Sequence, residues 1–525
     1  MIGVVGNAFD YIVIGAGSAG CVVAEGLSTR HNVLVLEAGG SNRKPEVAIP
    51  AAFYKNFKTE RDWNFSSEPE PSAANRRLFL PRGKMLGGTS SLNAMIYNRG
   101  RPSDFDGWEA LGAIGWGWES VLPVFKDMES NSRGESEYHG AGGLLKVEDL
   151  LEPNPFTRRF IEAALQAGLP ANNDFNGAKQ DGVGYYQVTQ KRGRRWSAAD
   201  AYLRPAMRRP TLTVVTDALT SRILVEGGRA VGVEYMVEGG VERAYAEAEV
   251  IITAGVFGSP HLLQLSGIGD PDHLSEVGLD VILDNRHVGM HMQDHPVVGV
   301  IQRSIQPGTL DDAESAIELA RWTLLRRGRL TSNVAEAGAY VRSSSTVDEP
   351  DLQFHFGPVY FEGHGLSPFD GHAYSLGPTL VNPKGEGTVM ASSSDPGVAP
   401  QIVGNYLDAP EDLSALMTGI ELTREILAQQ AFDDVRGEEL IPGSEVTEPD
   451  DIEEVIRNRY ELLYHPVGTC RMGRADEAVV DHDLRVHGVE DLRVMDASVM
   501  PRIVSANTDA ATMMIAAVGV KKILG

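Results

Sequence analysis

The segment Gly15-Ala16-Gly17-Ser18-Ala19-Gly20 constrains this chain more than any other. It follows the short apolar run Tyr11-Ile12-Val13-Ile14. It opens a stretch from Ser18 to Leu27 in which Cys21, Ala24 and Leu27 recur at helical spacing. A second apolar run, Val33-Leu34-Val35-Leu36, ends in Glu37 and Ala38. Strand, glycine turn, helix, strand and acid in this order predict a βαβ unit that holds a dinucleotide. Gly15 permits the tight turn. Gly17 lets backbone N–H groups approach a pyrophosphate at the helix N-terminus, where Ser18 and Ala19 begin the helix. Gly20 lets helix and strand pack closely, and Glu37 can accept the hydroxyl hydrogens of a ribose while repelling a 2′-phosphate.

That unit accounts for a small part of 525 residues, a length that leaves room for three to four domain equivalents at roughly 150 residues each. Lys+Arg 47 against Asp+Glu 72 gives a net charge of −25, which argues against nucleic acid or an anionic membrane as the main partner. The basic run from Lys191 to Arg209 then reads as a solvated loop and helix, one that could also offset a pyrophosphate or an anionic substrate. Only Cys21 and Cys470 are present, so no disulfide framework and no metal site is expected. No run reaches the roughly 18 apolar residues of a membrane span, and the N-terminus has no basic region of a signal peptide. A cytoplasmic location is expected.

Further along, Leu212-Thr213-Val214-Val215, Arg222 to Glu226, Ala230 to Met236 and Ala244 to Ala248 alternate. Gly227-Gly228 and Gly239-Gly240 separate some of them, which predicts a β-meander. Val250 to Gly255 predicts another buried strand and its turn. Alternating runs at Asp351 to Phe356 and Tyr374 to Val381 predict a large antiparallel sheet in a second domain. Pro410 to Ala428 and Pro449 to Glu461 predict helices, each with proline near its start and acids in its first turn.

Four longer segments carry a resemblance. Arg82-Gly83-Lys84-Met85-Leu86-Gly87-Gly88-Thr89-Ser90-Ser91-Leu92-Asn93 resembles the first signature of the glucose–methanol–choline (GMC) flavoenzymes. Gly255 to Gly269 resembles the second. Tyr464-His465-Pro466-Val467-Gly468-Thr469-Cys470-Arg471-Met472-Gly473 resembles their catalytic segment, and Leu492 to Ser498 with Asn507 to Ile515 resembles their closing strand and helix. The likeness runs from about Asp10 to Leu524 and is nearest the choline-dehydrogenase-like branch, which includes aryl-alcohol and furfural-type alcohol oxidases.

The resemblance implies an α/β chain (α+β overall). A Rossmann-like FAD-binding domain spans 1–150, 195–300 and 455–525. A second, substrate domain, built on the antiparallel sheet, spans 151–194 and 301–454. It implies FAD as cofactor. Gly83, Gly88 and Thr89 would pass close to the flavin ring, Asn93, Ala94 and Met95 would lie on its N5 side, and Trp63 resembles an aromatic near the cofactor. Ala254, Gly255, Asp496, Ala497, Asn507 and Thr508 would complete the cofactor contacts. His465 would take the proton of a substrate alcohol, with oxygen or another acceptor receiving the electrons.

Three positions depart from better-known relatives. Leu92 stands where covalent-flavin members often carry histidine, so FAD is expected to be non-covalent. Val297, after Asp294-His295-Pro296, replaces the acid of choline-specific members. Aligning Asn507-Thr508-Asp509-Ala510 puts Asp509 where the histidine's partner, usually histidine or asparagine, should be. His465 and Asp509 are therefore the expected catalytic pair, with His355, Val297 and Tyr464 on the substrate side. The same fold also hosts lyases and light-driven decarboxylases, and a non-catalytic flavin binder is the remaining class. The specific alcohol and the oligomeric state stay open.

Overall fold

Residues Ala8–Ile14 form the strand from which the first sheet is built, and the computed structural model describes residues 8–525. This strand pairs in parallel with Val33–Leu36 on one side and with Gly240–Ile252 on the other. Ile12, Val13, Val33, Leu34 and Val35 are wholly buried. That is why the runs are continuously apolar rather than alternating: both faces of this parallel sheet are covered. The helix Ser18–Leu27 crosses between the first two strands and packs against the long helix Asp509–Leu524. The strand Leu492–Val494 joins the sheet beside Val250–Ile252, so an early and a late strand flank that segment.

Two expectations about this region change. Leu212–Val215 is not part of a meander but an edge strand parallel to Val33–Leu36. The segments 244–248 and 250–253 are not separate strands but one 13-residue strand, Gly240–Ile252. Its first half alternates because it is an antiparallel partner of Arg229–Val237. Its last three residues, Val250–Ile252, are continuously apolar and buried because they enter the covered parallel sheet. The change of pattern within one strand reads as a break.

The second sheet has eight strands, all antiparallel, running Arg436–Ile441, Val300–Ser304, His372–Leu380, Leu352–Gly357, Ala337–Val341 and Gly182–Tyr185, with Pro296–Val297 and Glu461–Leu462 attached. The helices Pro155–Gln166 and Pro410–Leu427 pack on it. Phe354, Phe356, Tyr374 and Leu376 point to the helix side, where Phe356 stacks on Phe160 at 4.8 Å. The residues between them, His355, Gly357, Ser375 and Gly377, line a cavity on the opposite face. Side-chain alternation along a strand thus divides core from site. The pairing of 296–297 with 461–462 puts both segments in this sheet. The second predicted late helix is Pro449–Arg459, with Tyr460 buried at its end. No described helix is long and apolar enough to cross a membrane.

Candidate active site

Between the two sheets lies a cavity of about 620 Å³. It is lined by every residue that the sequence nominated for cofactor, substrate or chemistry, with the exception of Gly20. Gly20 acts from behind: a Cβ there would sit 1.9 Å from the carbonyl oxygen of Gly15. Gly15 itself is left-handed, with φ +97°, and a Cβ on Gly17 would meet nothing within 4 Å. Gly88 touches Gly17 so closely that a Cβ on it would be 2.7 Å from the Gly17 Cα.

Three helices open onto this cavity with their N-termini: Ser18–Leu27, Gly255–Leu265 and Asp509–Leu524. Each end presents unpaired N–H groups and positive dipole character to whatever lies between them. Asp496 organises the second of these ends, accepting from the Gly255 N–H at 2.9 Å, the Ser259 hydroxyl at 2.6 Å and the Ser498 N–H at 2.9 Å. Glu37 accepts from the N–H groups of Ala16 at 2.8 Å and Gly39 at 2.9 Å, which leaves lone pairs free toward the cavity. Burial pushes its carboxyl up to about 7. These donors suit the pyrophosphate and ribose of a dinucleotide. Thr89, Asn93 and Met95 line the other end with Trp63, which stacks on Phe65 under the ammonium of Lys84. Asn93 is held rigidly. Its Oδ1 accepts from Met95 N at 3.0 Å and from the buried Arg195 at 2.9 Å.

His465 lies where the two sheets face each other. The residue before it, Tyr464, has φ +64°, a conformation that L side chains rarely adopt. Arg82 and the buried Asp294 hold that peptide in place. Arg82 donates to the Tyr464 carbonyl, and Asp294 Oδ1 accepts the N–H groups of both His465 and His295 at 2.7 Å. Strain maintained by such surroundings is a mark of functional sites. His465 Nδ1 lies 3.0 Å from His295 Nδ1, and its Nε2 lies 3.2 Å from Asn507 Nδ2. Burial keeps the His465 imidazole well below the usual histidine range, with His295, His355 and Arg82 adding to the effect. It is neutral at physiological pH and able to accept a proton.

The expected partner is corrected here. Asp509 does not face His465: its carboxylate accepts from the Ser18 hydroxyl and from Asn93 Nδ2 at 3.3 Å. Asn507 precedes the last helix and Asp509 is its first residue, so the two side chains leave the backbone in different directions. Asp509 therefore ties the first and last helices together at the cavity wall, where burial raises its carboxyl. His355 lines the cavity with Nδ1 on Thr379 Oγ1 at 3.2 Å, and burial takes its imidazole down to about 3.

Family models for the N-terminal and C-terminal parts of "GMC oxidoreductase" match residues 9–297 and 383–516. The chain belongs to the GMC oxidoreductase family. Among its relatives, "Oxygen-dependent choline dehydrogenase" of Rhizobium rhizogenes is 43% identical over 98% of this chain and 95% of the relative. "Alcohol dehydrogenase [acceptor]" of Pseudomonas putida is 42% identical over 97% of this chain and 94% of the relative. Pyridoxine 4-oxidase from Mesorbium loti superposes with a TM-score of 0.89 at 30% identity, covering 98% of both chains. A formate oxidase variant of Aspergillus oryzae RIB40 superposes at 0.93 with 27% identity, covering 99% of this chain and 98% of the other. Like its family, this GMC oxidoreductase uses FAD to oxidise the CH–OH group of an alcohol.

Several side chains of this GMC oxidoreductase's site carry no local signal in sequence. Phe53, Phe57, Phe361 and Val334 form the apolar wall beside Tyr464. His295 stands in the quoted Asp294-His295-Pro296, but nothing in that tripeptide announces a contact with a histidine 170 residues away. Gln353 and Tyr186 lie behind Asn507, and no motif points to either.

Proposed function

We propose that this GMC oxidoreductase oxidises an uncharged primary or secondary alcohol, with His465 Nε2 as the base that takes the hydroxyl proton. One observation carries this reading: a neutral imidazole nitrogen, faced by an amide N–H, opens into the cavity beside the dinucleotide site. Bound FAD supplies the hydride acceptor. The residues that would hold it are the glycine turn, Glu37, the three helix N-termini and the Gly83–Met95 stretch. Asn507 and His465 orient the hydroxyl between them. As the proton moves to Nε2, the positive charge that forms on the imidazole is met by the network behind Nδ1. A positioned base supplies about 10²–10⁴-fold, or roughly 3–5 kcal/mol of barrier. The remainder comes from holding the reacting C–H bond in line. Oxygen or a second acceptor receives the electrons. Two free, buried cysteines fit a reducing cytoplasm.

The preference for an uncharged substrate rests on Val297 and the Phe53, Phe57 and Phe361 wall. A second reading, a cationic amino alcohol, has one observation in its favour. Glu461 is the cross-strand partner of Val297 and lines the same cavity, so a carboxyl stands on the same sheet face. Burial pushes it up to about 7, which weakens its charge at neutral pH. Anaerobic addition of benzyl alcohol is expected to bleach the flavin absorbance, with kcat/KM well above that for choline. A larger value for choline would favour the second reading. No bleaching by any alcohol would point instead to lyase or binding chemistry.

The cofactor is expected to be released by acid. Leu92, buried against the cavity, has no nucleophilic atom to attach it. Acid precipitation should leave a colourless pellet and a yellow supernatant; colour that stays with the washed pellet would contradict this.

A further inference from the structure

Behind Asn507 runs a chain of hydrogen bonds, buried at its far end, that finishes on a backbone carbonyl. The Tyr186 hydroxyl donates to the Phe354 carbonyl at 2.7 Å. Gln353 Nε2 donates to the same Tyr186 oxygen at 3.1 Å and to Asn507 Oδ1 at 3.2 Å. Asn507 Nδ2 then faces His465 Nε2, and His465 Nδ1 faces His295 Nδ1. We propose that Tyr186 and Gln353 are positioning residues that fix the His465 tautomer, keeping Nε2 free of a proton and therefore available as the base. This rests on the reading of His465 given above.

The proton count leads there in single steps. A tyrosine hydroxyl has one hydrogen, and here it is committed to a carbonyl that has no proton to offer. Its oxygen can then only accept, so the Gln353 amide must turn its nitrogen toward it. The second hydrogen on that nitrogen reaches Asn507 Oδ1. Asn507 is thereby forced to aim its own nitrogen at His465, and a nitrogen that meets a donor must carry the lone pair. The His465 proton is left on Nδ1, where it donates to His295 Nδ1, and the His295 proton lies on Nε2.

Every amide in the row has one alternative orientation, and they turn together. If the tyrosine hydroxyl swings from Phe354 to Gln353 Oε1, both amides reverse, Asn507 Oδ1 meets His465, and Nε2 must be protonated. One feature holds the first arrangement. Gly338 lets the Tyr186 oxygen come up to the Phe354 carbonyl, since a Cβ there would lie 1.9 Å from the Tyr186 oxygen and 2.1 Å from the Phe354 oxygen. The arrangement leaves Gln353 Oε1 buried without a protein partner, a cost that the Tyr186–Phe354 bond and the two Gln353 Nε2 bonds offset. The ionisable groups facing His465 are His295, His355, Arg82 and Asp294, and none of them contacts Gln353 through a hydrogen bond.

The test compares wild type with Gln353→Glu and Tyr186→Phe as holoenzymes, after checking that each binds FAD. The carboxylate introduced by Gln353→Glu can only accept, so it reverses Asn507 and places the proton on Nε2. The rate of anaerobic bleaching by benzyl alcohol should fall about 10²-fold at neutral pH. The apparent pKa of kcat/KM should rise, and the substrate dissociation constant should change little. Tyr186→Phe removes the anchor without adding an acceptor and should show a smaller loss in the same direction. Independently of turnover, ¹⁵N spectra of histidine-labelled protein, assigned with His465→Gln, should place the unprotonated nitrogen of His465 at Nε2 in wild type and not in Gln353→Glu. Wild-type rates, pH profile and tautomer in both variants would overturn the proposal. A wild type that no alcohol bleaches would overturn the alcohol reading instead, while the spectra still decide the tautomer.

Discussion

His465→Ala is expected to keep its FAD and to lose about 10²-fold or more in the rate at which an alcohol bleaches it. The cofactor should stay because its contacts lie elsewhere: in the glycine turn, at Glu37, at the three helix N-termini and along Gly83 to Met95. The rate should fall because no neighbour can replace the lost base. His295 is wholly buried behind His465 and does not line the cavity. His355 lines the cavity, but its Nδ1 bonds to Thr379 and its Nε2 is buried, so neither nitrogen faces the substrate. Asn507 has no proton-accepting nitrogen. Raising the pH should recover part of the loss, since a substrate alkoxide needs no base. Stopped-flow bleaching at the wild-type rate would remove His465 from the chemistry.

Arg99→Met should destabilise the fold by about 3–5 kcal/mol, the cost of leaving a buried charge without its partner. Arg99 and Glu129 are both fully buried, with Arg99 Nη2 2.6 Å from Glu129 Oε1. Glu129 also accepts from Gly140 N at 2.8 Å and contacts His139 at 2.9 Å. Burial opposes the charge on His139, but hydrogen bonds to Asp174 and Glu129 prevail and raise its imidazole to about 9. The cluster is thus two cations against two anions, of which only Asp174 is reached by solvent, and removal of Arg99 leaves the buried Glu129 short of one cation. Methionine fills most of the space, so the loss is electrostatic rather than a cavity. The double variant Arg99→Met/Glu129→Gln should regain part of it. Urea midpoints for the three proteins would check this, and a single variant as stable as wild type would refute it.

What can be read in the sequence is local. Gly15 to Gly20 and Glu37 are legible because turn, helix start and ribose acid lie within one βαβ unit, and the contacts of Gly15 and Gly20 are with that unit and its neighbour Thr253. The late helices are legible from proline, first-turn acids and apolar spacing. Asp509 is misplaced because a motif aligned by type cannot tell which of Asn507 and Asp509 lies before the first helical turn. Only the backbone sets that direction. Tyr186, Gln353 and His295 are invisible for a related reason: each reaches the site by strand pairing in the second sheet or by a loop beside it, and register between distant strands leaves no mark on neighbouring residues. The same holds for the split of the Gly240–Ile252 strand between two environments.

The cavity takes the first strand–turn–helix from residues 8–37 and the adjoining wall from 492–512. Helix Ser18–Leu27 needs helix Asp509–Leu524 against it, and a Cβ on Gly26 would already strike Val520 at 2.5 Å. On synthesis the nucleotide loop meets Gly88 and Thr253 first, but its last partner, Asp509 on the Ser18 hydroxyl, follows 491 residues later. Loading of the cofactor therefore waits on the late segment, and a product truncated before about residue 490 is expected to emerge colourless, with the βαβ unit's apolar face uncovered.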